Sequence, residues 1–345
     1  MSTTRTRVAV NGLGRIGRAI ARLAAADANR NFDIVACNDL APCDTLEYLL
    51  RYDSVHRQPA QEVSLDGETL SIGDVRMKTL AERNPAELPW RELGVQLVVE
   101  CTGRFRSREG AAKHLAAGAS KVVISAPGDK KDPPDATVVF GINDEVIQPA
   151  DTVISAASCT TTCLAPLAKT LHESFGIESG VMTTIHAYTA DQAIVDGPHK
   201  DKRRGRAAAA NIVPTSTGAA AAIGTVIPAL AGKLHGIAVR VPTPDVSLVD
   251  LIVQTAKPVT AEAANEALAA AAATLRPGTL RIESQPVVST DMTGEQAGSV
   301  VDSLLTASPS ENLLQVVSWY DNEWSYASRL YALINHLAAE AGATA

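Results

Sequence analysis

Aromatic side chains are scarce, at 4% of 345 residues, so the core must be built from Ala, Val, Leu and Ile, and stacking platforms for unpaired bases are hard to assemble. Cysteine is sparse too. Cys37, Cys43, Cys101, Cys159 and Cys163 are odd in number and show no paired C-x-x-C spacing. That argues against a disulfide framework or a metal site and leaves reduced thiols, one of them available for chemistry. No hydrophobic run reaches the 18 or so residues of a membrane-spanning helix. Positive charge is not in excess: 31 Lys+Arg against 38 Asp+Glu give a net charge of -7, so neither nucleic acid nor an anionic membrane is an expected partner. Met1 to Arg7 is short and basic, but Val8 to Gly12 reads as a strand and turn rather than the apolar centre of a signal peptide, and a cytoplasmic location is expected.

The length suggests two domains, and 46% hydrophobic with 20% charged residues fits a globular chain. In the first half, Arg7 to Val10, Asp33 to Cys37, Gln96 to Glu100, Lys121 to Ser125 and Thr137 to Phe140 read as strands. Ile16 to Ala28 and Gly110 to Ala117 have helical spacing. Right-handed βαβ units and a doubly wound α/β sheet follow from that alternation, with a small antiparallel excursion near Gln61 to Met77. The texture changes after Pro149. A strand from Ile154 feeds a helix over Thr160 to Ser174, strands are expected at Val181 to Ile185, Ile237 to Val241 and Leu248 to Gln254, and a helix at Thr260 to Leu275. These make a second, α+β domain. Asp196 to Asn211 carries five Lys/Arg without periodicity and reads as a functional or subunit-contact loop.

Gly12-Leu13-Gly14-Arg15-Ile16-Gly17 matches G-x-G-x-x-G after a strand and at the opening of a helix. In that setting the glycines permit a tight turn, close approach to a pyrophosphate and close helix packing. Asp39 ends the second strand and is placed to accept from ribose hydroxyls. Cys159 stands at a strand-to-helix junction, where free N–H groups favour a thiolate, although a buried inert thiol is the bland alternative. His186 ends a strand and matters only if it meets Cys159, which sequence distance cannot show. The other histidines read as surface residues. Pro214 to Gly218, Arg240 and the Lys200 to Arg206 run are each commonplace but together suggest a site for phosphorylated substrates.

Ser158-Cys159-Thr160-Thr161, His186-Ala187-Tyr188-Thr189, Pro214 to Ala220, Arg240-Val241-Pro242-Thr243, Trp319 to Glu323 and the opening Val10 to Arg18 together resemble the phosphorylating glyceraldehyde-3-phosphate dehydrogenases, in the same order along the chain. The resemblance implies an NAD-binding domain over 1–158, completed by a C-terminal helix over 322–345, a catalytic domain over 159–321, and a homotetramer. It implies that the Cys159 thiolate attacks the aldehyde of glyceraldehyde 3-phosphate with His186 as base, that hydride passes to NAD, and that inorganic phosphate cleaves the thioester to 1,3-bisphosphoglycerate. It assigns Asn11, Gly12, Gly14, Arg15, Ile16, Gly17, Asp39, Thr102, Ser125, Asn322 and Tyr326 to the cofactor. Thr189 and Arg240 would hold the substrate phosphate, Ser158, Thr217, Gly218 and Arg204 would hold the attacking phosphate, and Thr160 belongs with these substrate- and phosphate-binding residues.

The chain departs from the family pattern at Ala156 and Thr162, where asparagines are usual, at Ala221 for lysine, at Asp245 for asparagine and at Ser325 for glycine. None removes a group with a direct chemical role. An erythrose-4-phosphate dehydrogenase, an electrophile-tolerant isoform and a retired paralogue acting as a binding protein are the competing readings.

Overall fold

A computed structural model describes residues 5–343, so Met1–Thr4 of the basic N-terminal stretch and the last two residues of the expected C-terminal helix lie outside the described residues. The chain divides into two compact units. One runs to Phe140, resumes over Asp144–Ala157 and takes the chain from Leu330; the other comprises Gly141–Asn143 and Ser158–Arg329. The resemblance puts the crossings at 158/159 and 321/322. Ser158 falls with the second unit because it caps the helix that follows it, and Arg329 because it donates to the carbonyl of Pro277.

The first unit is α/β. Its elements are β1 (Thr6–Asn11), α1 (Arg15–Ala26), β2 (Phe32–Asn38), α2 (Cys43–Arg51), β3 (Val63–Asp66), β4 (Thr69–Ile72), β5 (Val75–Leu80), β6 (Leu97–Glu100), α3 (Arg108–Ala116), β7 (Lys121–Ile124), β8 (Ala136–Thr137) and β9 (Val153–Ser155). They form one sheet in the order β3-β4-β5-β2-β1-β6-β7-β9-β8. From β5 to β8 every pairing is parallel, and only β3-β4-β5 is antiparallel, which is the excursion expected near Gln61 to Met77. Val8, Ala9 and Val10 are fully buried, as central parallel strands covered on both faces require. The strand expected over Thr137 to Phe140 stops at Thr137, because its partner β9 ends at Ser155, opposite Thr137. The helix over Cys43–Arg51 was not anticipated.

The second unit has α4 (Cys159–Phe175), β10 (Ile177–Ala187), β11 (Val213–Ser216), α5 (Ala219–Val226), β12 (Leu234–Val241), β13 (Ser247–Thr255), α6 (Ala261–Thr274), β14 (Leu280–Glu283), β15 (Ser299–Asp302), β16 (Ala307–Ser310), β17 (Leu313–Tyr320) and the first turns of α7 (Trp324–Ala343). Its sheet runs β11-β12-β10-β13-β17-β15-β14, with β16 on β17. Thr260 caps α6 by accepting from the Ala263 N–H, the side-chain cap that a threonine before an alanine-rich run supplies. The registers decide the site. β10 pairs with β12 in parallel, setting His186 opposite Arg240 although 54 residues separate them.

Candidate active site

In the first unit, β1 lies between β2 and β6, so connections leave its two sides in opposite directions and a crevice opens at the carboxyl ends of β1 and β6. A cleft of about 400 Å³ occupies that place, with Asn11, Gly12, Gly14, Asp39, Thr102 and Arg104 among its lining residues. Three glycines shape it differently. Gly12 has φ +95°, and a Cβ there would lie 2.7 Å from the Thr102 nitrogen. A Cβ on Gly17 would lie 2.2 Å from the Gly12 carbonyl oxygen, so only glycine lets α1 close onto the turn. At Gly14 nothing lies within 4 Å, which leaves backbone open to a ligand at the start of α1.

Asp39 accepts from the Leu13 N–H at 2.9 Å and, on its other oxygen, from the Ala41 N–H at 3.0 Å. Each carboxylate oxygen has a second acceptor site, so capacity for two ribose hydroxyls remains. The residues fit a dinucleotide: an open, N–H-rich turn beside an oriented carboxylate. Arg15 pairs with Asp53, whose carboxyl is held down to about 2: burial raises it, but Arg15 and the N–H groups of His56 and Val55 together lower it further. Ile16 lies half-buried on α1. Ser125 stands just past β7, where its N–H donates to the Glu100 carbonyl and its side chain bonds Cys101; it does not border the cleft.

In the second unit, Ser158 caps α4 by accepting from the Thr161 N–H at 3.1 Å, which puts Cys159 in the first turn. The Cys159 Sγ lies 3.6 Å from His186 Nε2. Arg240 Nη1 donates to His186 Nδ1 at 2.7 Å and to the Ala187 carbonyl at 2.9 Å. The Ala187 carbonyl, which can only accept, lies at the same 2.7 Å from Nδ1, whereas a guanidinium can only donate, so the two contacts on Nδ1 call for opposite tautomers. Burial, reinforced by the Arg240 charge, pushes His186 down to about 3, so the ring is neutral. Burial also raises the Cys159 thiol above its ordinary value, against the pull of Arg240. Desolvation thus outweighs the N–H groups of the first turn, on which the expectation of a favoured thiolate rested.

The supporting side chains are tightly bonded. Tyr320 OH meets Thr160 Oγ1 at 2.9 Å and Thr184 Oγ1 at 2.8 Å, and its ring stands edge-on to His186, so the Thr160 hydroxyl is already engaged with protein. The Ala187 N–H donates to Ser247 Oγ, which donates to Asn322 Oδ1 at 2.7 Å, fixing the direction of that amide. Tyr326 is buried on α7. Thr189 is half-buried in the turn after β10. Arg204 donates to Thr215 Oγ1 and the Ser216 carbonyl and pairs with Asp191, a partner sequence reasoning missed. Thr217 accepts from the Ala219 N–H, and Gly218 opens α5 with nothing near a Cβ position.

One reading is overturned. His114 is not a surface residue; it is fully buried on α3. Its spacing was the available signal, since it follows the buried Ala111 by three residues and so falls on the inward face.

A doubly wound unit whose glycine turn sits at the topological switch point, in one chain with a thiol, imidazole and guanidinium brought together by strand register, is the pattern of a dinucleotide-dependent oxidoreductase. The comparisons name the family. Residues 6–108 match the model of the glyceraldehyde 3-phosphate dehydrogenase NAD binding domain, and residues 158–322 match that of the C-terminal domain. The chain is 51% identical over 335 residues to a glyceraldehyde-3-phosphate dehydrogenase of Geobacillus stearothermophilus, covering 97% of this chain and 98% of the relative. It is 50% identical over 333 residues to glyceraldehyde-3-phosphate dehydrogenase 1 of Bacillus subtilis, covering 96% and 98%. The chain belongs to the glyceraldehyde-3-phosphate dehydrogenase family.

Proposed function

We propose that this chain oxidises glyceraldehyde 3-phosphate to 1,3-bisphosphoglycerate through a thioester on Cys159. The observation that carries the reading is the approach of Cys159 Sγ to His186 Nε2 at 3.6 Å, with Arg240 on the far nitrogen of the same ring. Arg240, with Thr189, takes the substrate phosphate. With the guanidinium drawn to a dianion, the Ala187 carbonyl, 2.7 Å away, holds the imidazole proton on Nδ1 and leaves Nε2 bare. In that state Nε2 takes the proton of the thiol as sulfur attacks the carbonyl carbon, returns it to the carbonyl oxygen to give the thiohemiacetal hydroxyl, and takes it back as hydride leaves. NAD, when bound, supplies the hydride acceptor. Arg204, Ser158, Thr217 and Gly218 hold inorganic phosphate, whose oxygen attacks the thioester carbon and expels the Cys159 thiolate. Asn322, with its oxygen committed to Ser247, is left to meet the nicotinamide amide through Nδ2.

A homotetramer is proposed as the working form. It is supported by the apolar side chains that the second unit leaves exposed on the loop after β10, Ile194, Val195 and Ile212, which are 86%, 72% and 69% accessible. The five free cysteines suit a reducing, cytoplasmic setting, and among the described residues no helix is long and apolar enough to cross a membrane. The test is NAD reduction by purified protein on glyceraldehyde 3-phosphate, with and without phosphate, beside erythrose 4-phosphate. Phosphate-dependent turnover of the triose is expected; preferential turnover of erythrose 4-phosphate would overturn the substrate assignment.

A further inference from the structure

Under the cleft of the first unit lies a buried polar chain that the mechanism does not use. Glu100 closes β6 beside Asn11 of β1 and is 1% exposed; His114 and Trp90 are fully buried. Trp90 Nε1 donates to His114 Nδ1 at 3.0 Å. An indole nitrogen can only donate, so Nδ1 is the bare nitrogen of the ring and Nε2 carries the proton, toward Glu100 Oε2 at 3.1 Å. The same oxygen accepts from Asn11 Nδ2 at 2.5 Å. Glu100 Oε1 accepts from the Thr102 N–H at 2.8 Å and from the Thr102 hydroxyl, which itself accepts from the Arg104 N–H. Both oxygens are thus filled by two donors each, from three different segments. Among the described residues no Lys or Arg pairs with Glu100, and His114, bare at Nδ1, meets it as a hydrogen-bond donor.

The donors are the cleft. Asn11, Thr102 and Arg104 line it, and Asn11 passes the chain on to Asn38, another lining residue, whose amide donates to Asn11 Oδ1 at 2.7 Å. The Thr102 backbone is also the surface on which Gly12 presses. We propose that Glu100 and His114 are positioning residues for the cofactor: the buried carboxylate ties the ends of β1 and β6 into one geometry, and the tautomer set by Trp90 keeps a donor on it. The proposal rests on this cleft being the NAD site. Glutamine at position 100 keeps the shape but fails electrostatically, since whichever way its amide is turned, an NH₂ group faces two donors. A carboxylate that orients ligand-facing side chains acts on binding and not only on folding.

The experiment compares full-length Glu100→Gln and His114→Gln with wild type, titrating NAD by calorimetry and measuring KM for each substrate. In each variant the Kd and KM for NAD should rise about tenfold or more, the scale of a hydrogen bond to a buried charge. KM for the aldehyde and the alkylation rate of Cys159 should not move. The double variant should be little weaker than Glu100→Gln alone, because both remove bonds at one acceptor. A lowered melting temperature with an unchanged NAD Kd would show a structural role only and overturn the proposal. Should Glu100→Gln not be recovered folded, His114→Gln, which leaves the carboxylate in place, decides by the same split. Wild type that bound no NAD would strike the cofactor reading instead.

Discussion

The cleft of the first unit presents main chain and short polar groups to its ligand, whereas the site of the second unit sets a thiol and a neutral imidazole beside one guanidinium, largely withdrawn from water. At Gly12, Gly14 and Gly17 what matters is the absence of a Cβ, and Asp39 is held by two backbone N–H groups. At Cys159, His186 and Arg240 what matters is burial, which pushes the thiol up and the imidazole down. The first region is shaped to bind and tolerates little change of volume. The second is tuned to move protons and tolerates little change of charge. Binding needs a preformed concave surface, whereas covalent chemistry needs groups whose protonation can be exchanged within a few ångströms.

The sharpest way to break this contrast is at Cys159, the proposed nucleophile. Cys159→Ser should lower dehydrogenation by more than about 10⁴-fold, and His186→Asn by roughly 10²–10⁴-fold, with NAD affinity unaltered in both. Acylation of the serine variant by substrate would remove Cys159 from the covalent step. The matching change in the first unit is Gly17→Ala, whose new methyl must displace the Gly12 carbonyl. A loss of about 10²-fold in kcat/KM for NAD is expected, with Cys159 still alkylated at the wild-type rate. Equal loss in both measurements would mean that the two regions do not separate.

A smaller effect tests charge rather than shape in the cleft. Asp39 should favour NAD over NADP by about 10²-fold or more in kcat/KM, through repulsion of a 2′-phosphate, and Asp39→Ala should narrow that ratio. Comparable efficiencies for the two cofactors in wild type would dismiss the role. The smallest effect concerns Asp245, which is buried near Asp321 and Glu323; burial and those two charges raise its carboxyl well above the usual carboxylate range. A carboxyl that binds its proton more tightly when folded contributes full stability below about pH 4, its unfolded value, and loses it as pH rises toward the folded one. Asp245→Asn does not titrate, so it should gain roughly 2–4 °C in melting temperature over wild type at pH 8 and little at pH 5. A gain that shrinks with pH would reverse the assignment.

Much of the first region was legible because its determinants are contiguous. A strand, three glycines, a helix and an acid about 25 residues downstream fall within one βαβ unit, so local spacing already implies the crevice. The buried support beneath it was not legible. His114 is separated from Trp90 by 24 residues and from Glu100 by 14, and nothing in the chain between them states that their polar atoms converge. The pairing of Arg204 with Asp191 escaped for the same reason: it is a contact across an irregular loop, where no period links residue number to direction.

The sequence by itself determined the alternation of strand and helix, the glycine turn and its acid, and the thiol at a helix start, since each depends on backbone sterics and hydrogen bonding over a few neighbouring residues. The motif set also carried the family resemblance. Only the tertiary structure decided that His186 meets both Cys159 and Arg240, that the imidazole is neutral, and that Glu100 and His114 lie under the cleft. Strand register across β10 and β12, and exclusion of water from the second unit's site, act between residues far apart in the chain; a pKa depends on that surrounding and not on the residue's type alone.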